Sequence, residues 1–270
     1  MSDAAAQQEQ TAGAWSRAAA DYSHVGPPFF QFFGSELIEF ARIHPGAKVL
    51  DVATGRGALL IPAAEKVGPS GEVTGIDYSE GMVTQTGAEV KARGLENARV
   101  LHMSAEQLDF PDGSFDVVTC GFAIFFFPHP ERALAEFRRV LKQGGKLVMS
   151  TWGRDDARWA WLSDLRRQSA PQQPRPTLSF NTPEALGQVL TQAGFAGIEV
   201  CEVAREFFYA SPEEWWATQW SHGARIYLEQ MPPEALQRAQ AFSRQKMAEI
   251  AQPEGIPMLF EALFASAIKQ

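Results

Sequence analysis

The sequence predicts an α/β fold, and three observations predict it. The stretch Ala47 to Gly57 reads as a short buried strand, an acid, and a tight loop of small residues opening a helix. Roughly twenty residues on, Gly71 to Asp77 repeats the pattern of a strand ending in an acid. Strand-like apolar runs then keep alternating with helical patterns as far as Trp152.

Taken in order, residues 1–13 are rich in Ala and Gln and are expected to be frayed or only partly helical. Trp15 to Tyr22 has a helical pattern, and His24 to Pro28 breaks it. Phe29 to Ala41 reads as a helix started after the prolines. Four phenylalanines at its start exceed what one core stripe requires, so Phe29 and Phe30 are candidates for a substrate cavity wall; packing against the sheet is the alternative. Strand one is Ala47 to Val52, and the helix after the loop is expected over Gly57 to Val67, with Pro62 tolerable only near its first turn. Strand two ends at Asp77. Ser79 is a good N-cap for a helix ending near Arg93 and Gly94. Strand three is Ala98 to Met103 and strand four is Ser114 to Cys120.

The segment Gly121 to Pro130 leaves the carboxyl end of strand four, the edge where open α/β sheets bind ligands. It should line a reaction chamber, with Phe125 and Phe126 as wall. Glu131 to Leu141 is an amphipathic helix stopped by Gly144 and Gly145, and Lys146 to Trp152 is strand five, placing Trp152 near the same cavity. A helix is expected over Asp155 to Ser169, a linker or lid over Pro171 to Pro176, a capped helix over Thr182 to Ala193 and a long strand over Gly197 to Tyr209. Ser211 starts a helix running to Leu228, and Pro233 to Ile250 is another. By pattern alone, Met258 to Ile268 fits either a buried strand or an apolar helix.

The glycine loop serves dinucleotides, nucleosides and plain helix packing alike. An acid at the end of strand two can accept hydrogen bonds from both hydroxyls of a ribose, which leaves a nicotinamide dinucleotide or S-adenosylmethionine. Asp51 favours the second, because a carboxylate beside the loop serves a sulfonium and an ammonium and poorly serves a pyrophosphate. The loop also matches the dinucleotide spacing loosely, with Ala53 and Ala58 in place of the outer glycines, and Ser104 to Asp116 could close over an adenine.

Asp51 to Gly57, Gly75 to Met82, Ser104 to Asp116 and Leu141 to Leu147 together resemble the class I S-adenosylmethionine-dependent methyltransferases. The likeness is to the small-molecule branch with the ubiquinone and menaquinone biosynthesis enzymes (methyltransferase type 11-like). It covers about residues 15 to 152. It implies a Rossmann-like, seven-stranded, mostly parallel sheet with an antiparallel final strand between strands five and six, helices on both faces and a helical lid. The division implied is residues 1–44 as lid, 45–210 as cofactor-binding domain, 211–257 as helical substrate cap and 258–270 as final strand. The implied cofactor is S-adenosyl-L-methionine, with S-adenosyl-L-homocysteine as product.

By the same resemblance, the cofactor residues are Tyr22, Asp51, Ala53, Thr54, Gly55, Gly57, Asp77, Tyr78, Met82, Ser104, Ala105, Glu106, Cys120, Gly121 and Phe122. Ser104 departs from the family, which has an aspartate there to receive the adenine amino group. The expected function is methyl transfer to the O, N or C atom of a small aromatic or apolar acceptor, without a metal. An NAD(P)-dependent oxidoreductase and a non-catalytic cofactor-binding protein are the alternatives. Trp216 and His222 are further candidates for the substrate wall. No acid or histidine stands out as a base; His24, His129 and His222 are the candidates.

Composition sets the outer bounds. The 270 residues carry a formal net charge of −8, which argues against a nucleic-acid partner. Cys120 and Cys201 are far apart and outside any metal-ligand spacing, which fits reduced thiols in a cytosol. No apolar run approaches a membrane span and the N-terminus lacks a basic start, so a cytoplasmic monomer or homodimer with a small-molecule acceptor is expected.

Overall fold

The computed structural model describes residues 3–22, 24–163, 165 and 178–270. Its centre is a seven-stranded sheet of order β3-β2-β1-β4-β5-β7-β6. The strands are β1 (Lys48–Val52), β2 (Glu72–Asp77), β3 (Ala98–His102), β4 (Phe115–Gly121), β5 (Leu141–Trp152), β6 (Phe195–Tyr209) and β7 (Ile256–Lys269). Strands β1 to β5 pair in parallel, and β7 runs antiparallel between β5 and β6. This is the Rossmann-like arrangement expected. The apolar run at 258–268 is a strand because it fills the slot between β5 and β6.

Helices cover both faces. Helix α1 (Asp3–Ala18) packs on α4 (Glu80–Ala92), which lies on one face with α2 (Phe29–Ala41) and α3 (Leu60–Val67); α2 and α3 bury Phe33, Leu37, Leu60 and Ala63 against β1 and β2. On the other, α5 (Pro130–Val140) and α6 (Pro183–Gln192) pack Leu134, Phe137 and Leu190 over the sheet. Local capping fixes several starts: Ser79 Oγ accepts from Met82 N at 3.2 Å, and Thr182 Oγ1 accepts from Ala185 N at 3.2 Å. The cap comprises α7 (Pro212–Ser221), α8 (Arg225–Leu228) and α9 (Pro233–Ile250), with Trp159, Tyr209, Trp215 and Met247 as a separate small core.

Several expectations need correction. Helix α1 begins at Asp3, so the first residues are more helical than expected. Helix α3 starts at Leu60, because the loop turns through Gly55 and Gly57 first; Pro62 therefore falls in the first turn, where no N–H is required. Helix α5 ends at Val140, and Gly144 and Gly145 lie inside β5, near a register shift against β4. The helix expected through Leu228 is two helices, parted at His222 and Gly223. Gly223 sits so close to Trp15 and Phe126 that a Cβ there would lie 3.3 Å from each. Of the helix expected over 155–169, Ala157–Trp159 forms a 3-10 turn followed by helical residues at 161–163 and 165; the remainder, and the linker at 171–176, lie outside the described residues.

Candidate active site

The carboxyl ends of β1, β2 and β4 open onto one cavity of about 1220 Å³. Two non-glycine residues at that edge hold left-handed backbone conformations, Ala53 at φ 53° after β1 and Phe122 at φ 49° after β4. Such conformations persist only where surrounding structure enforces them, and they cluster at ligand sites. Phe122 N donates to Ser150 O at 3.0 Å, and its ring stacks on Trp152 with centroids 4.0 Å apart.

Asp77 ties this edge together. Its Oδ2 accepts from Gly55 N at 2.9 Å and its Oδ1 from Ser79 N at 2.8 Å. A carboxylate has about four acceptor positions, so the two oxygens retain capacity for two ligand hydroxyls. Burial pushes the Asp77 carboxyl above the usual range, against the pull of those backbone N–H groups. Asp51 behaves alike. Burial raises its pKa to about 6, although the Thr54 and Thr119 hydroxyls donate to it at 2.6 and 2.8 Å. The Asp77 carboxylate adds to the rise at Asp51, and a positively charged ligand would offset it.

Helix α1 is tied to residues at the cavity edge and to the helices after β6. The Tyr78 hydroxyl donates to Glu9 Oε1 at 2.8 Å, and the hydroxyls of Ser16 and Ser79 meet at 2.8 Å. Arg56 Nη1 reaches Ala19 O at 2.5 Å. Arg17 and Arg225 both donate to Glu229 of the cap, at 2.9 and 2.7 Å, and hold that carboxyl down at about 2, Arg17 chiefly. The Trp15 indole meets Phe126 edge-on at 5.4 Å.

Residues 49–145 match the methyltransferase domain family. The nocamycin O-methyltransferase of Saccharothrix syringae is 32% identical over 236 residues, covering 82% of this chain and 84% of that one. The chain belongs to the S-adenosylmethionine-dependent methyltransferases. A demethylmenaquinone methyltransferase of Geobacillus kaustophilus is 33% identical over 61% of the methyltransferase and 77% of its own length. In fold, the methyltransferase matches the YcgJ protein of Bacillus subtilis with a TM-score of 0.62, at 23% identity over 88% and 99% of the two chains. Its cofactor is S-adenosylmethionine. The family thus sets aside the oxidoreductase and the non-catalytic binder.

Of the residues singled out in the methyltransferase sequence, the cavity gathers Tyr22, Ala53, Gly55, Asp77, Tyr78, Met82, Ala105, Glu106, Gly121 and Phe122 at the sheet edge. Towards the cap it gathers Phe29, Phe30, Phe125, Phe126, Trp152, Trp216 and His222. Seven others stand outside its wall. Asp51 is fully buried beneath the loop, where its position opposite Thr119 in the β1–β4 register turns it into a hydroxyl pair. Thr54 faces that carboxylate, and Gly57 closes the loop by donating to Thr54 O at 2.8 Å. The Ser104 hydroxyl accepts from Glu106 N at 3.3 Å, and Cys120 is sealed in the sheet core. His24 is exposed and His129 sits beside Glu131 at 3.6 Å, so of the three candidate bases His222 alone lines the cavity. Glu106 has a structural partner as well, accepting from His129 N at 2.9 Å.

Sequence reasoning missed Gln219, Tyr227, Arg154, Phe260 and Glu261 in the wall. Gln219 follows Trp215 and Trp216 at helical spacing, a signal that could have found it. Phe260 and Glu261 had none, because they arrive through pairing of β7 with β6. Among the described residues, no three His, Cys, Asp or Glu side chains cluster as a metal site, and no helix is long and apolar enough to cross a membrane.

Proposed function

We propose that the protein transfers the methyl group of S-adenosylmethionine to a small aromatic or apolar acceptor, with Asp77 holding the ribose hydroxyls. The observation that carries this reading is the Asp77 carboxylate itself: it lies at the end of β2, in the cavity wall, braced by Gly55 N and Ser79 N and with acceptor positions to spare. Tyr78, Met82 and Ala105 flank the adenine, and the backbones of Ala53, Gly55, Gly121 and Phe122 approach the cofactor closely. Tyr22 covers its methionine part. Asp51 acts through space on the cationic end rather than by contact.

When bound, the cofactor supplies a methyl group already activated by positive charge. The chain's part is to hold the acceptor in line and exclude water. Phe29, Phe30, Trp152 and Trp216 suit that task, being aromatic and placed between the cofactor edge and the cap. Relatives named for nocamycin and demethylmenaquinone support a small-molecule acceptor. Residues 1–44 serve as lid, 45–210 with 258–270 as the cofactor-binding body, and 211–257 as substrate cap. The protein works in the cytoplasm as a monomer or homodimer, without a metal and without nucleic acid, in keeping with its charge of −8 and its two unpaired cysteines.

The test is thermal protection. S-adenosylhomocysteine is expected to raise the melting temperature and NADH to leave it unchanged. Asp77→Ala should weaken S-adenosylhomocysteine binding by roughly 100-fold, the loss of about two hydrogen bonds to a charged acceptor. Unchanged affinity in that variant would overturn the site assignment.

A further inference from the structure

The loop after β1 carries one large side chain, Arg56, set between Gly55 at φ 51° and Gly57 at φ 79°. Small residues let a ligand approach such a loop closely, and a long cation adds nothing to that. Arg56 does not line the cavity. Its side chain instead reaches the turn after α1, where Nη1 donates to Ala19 O at 2.5 Å. Ala18 and Ala19 are buried there, and Arg56 Nε is buried with no partner among the described residues. Burial lowers the guanidinium's pKa, with the Glu89 carboxylate opposing that shift. Withdrawing part of a guanidinium from water is costly, so Arg56 is a joint between loop and turn rather than a solvated charge.

The loop end of that joint is held firmly. Gly55 N donates to Asp77 Oδ2 at 2.9 Å, Gly55 O accepts from Thr86 Oγ1 at 2.5 Å, and Gly57 N donates to Thr54 O at 2.8 Å. The other end carries Tyr22. Ala18 O accepts from Asp21 N at 3.0 Å and from Tyr22 N at 2.9 Å, so backbone clamped at Ala19 sets where Tyr22 lies three residues on. The Tyr22 ring lines the cavity, stacks on Phe30 at 5.1 Å and meets Trp15 edge-on at 5.8 Å. Burial pushes its hydroxyl pKa up and the Asp77 carboxylate adds to the rise, so Tyr22 and Asp77 share one end of the cavity. Helix α1 is also tied to this edge through Glu9 to Tyr78 and Ser16 to Ser79. Of these ties, the one at Ala19 lies nearest Tyr22 along the chain.

We propose that Arg56 is a positioning residue, holding the turn at 19–22 so that Tyr22 closes over the methionine end of the bound cofactor. It acts through that ring and through the loop residue that braces Asp77, without touching the ligand. The inference rests on the methyl-transfer reading above and adds a residue to its cofactor site.

Calorimetric titration with two ligands tests it. S-adenosylhomocysteine carries the amino-acid end, and 5′-methylthioadenosine keeps adenine, ribose and sulfur without it. The proteins are the wild type, Arg56→Met, Tyr22→Ala and the double variant; methionine keeps the apolar stem and removes the donors. If loss of the clamp leaves the turn in place in about a tenth of molecules, the Kd for S-adenosylhomocysteine rises roughly tenfold. The Kd for 5′-methylthioadenosine should change less than about twofold. In the Tyr22→Ala background, Arg56→Met should add no further loss. Unchanged affinity in Arg56→Met, or losses that add to those of Tyr22→Ala, overturns the assignment. So does an equal loss for both ligands, or a variant that binds neither, because the effect then lies in the loop or the fold. The wild type separates the readings: failure to bind S-adenosylhomocysteine sinks methyl transfer, and binding there confines the failure to Arg56.

Discussion

Replacing Asp51 by asparagine separates the cost of a buried charge from its use. The carboxyl group is fully buried, and burial pushes its pKa up to about 6 in the fold, from an ordinary value of 3.8. A raised carboxyl pKa stabilises the folded state at low pH. That contribution is complete below about 3.8 and disappears as the pH climbs through about 6. Its full size is about 3 kcal/mol, of which about 1.4 kcal/mol lies between about pH 5 and about pH 8. Asparagine does not ionise, so Asp51→Asn should gain about 1.4 kcal/mol on the wild type across that interval, a relative rise in melting temperature of roughly 2–3 °C. The Thr54 and Thr119 hydroxyls can turn to meet an amide, and any hydrogen bond lost costs the same at every pH. Urea unfolding of the ligand-free protein at both pH values gives the difference directly. The variant should also lose more affinity for S-adenosylmethionine than for S-adenosylhomocysteine, because only the former carries the sulfonium charge. A stability difference that does not change with pH would refute the claim that Asp51 titrates in the fold near neutrality.

Two further tests address packing and chemistry. Gly34 of α2 lies against the loop, where an added Cβ would come within 2.4 Å of the Ala58 carbonyl oxygen; backbone cannot yield as a side chain tip does. Gly34→Ala should therefore cost roughly 1–3 kcal/mol in urea unfolding and weaken S-adenosylhomocysteine binding, and unchanged stability would contradict that contact. Methyl transfer to the native acceptor is expected to persist in excess chelator; loss restored by magnesium would refute a metal-free reaction.

The sequence by itself determined what depends on neighbours along the chain. Ser79 and Thr182 cap helices through their own hydroxyls, and Pro233 starts α9 where it stands. Asp77 was recognisable because a strand end and a glycine loop place a carboxylate at the ligand edge whatever surrounds it. The apolar run from 258 was undecidable by pattern, since β7 is buried between two strands and shows little alternation; its place came from family likeness. Tertiary structure alone decided the rest. Asp51, so suggestive beside its glycines, is turned from the cavity because the β1–β4 register sets it opposite Thr119. His222 was one of three equal histidines until the helix parted at Gly223 and set its ring against Phe29 and Phe30. Which side chains share a cavity depends on distances between elements, and those are fixed by packing that no local pattern encodes.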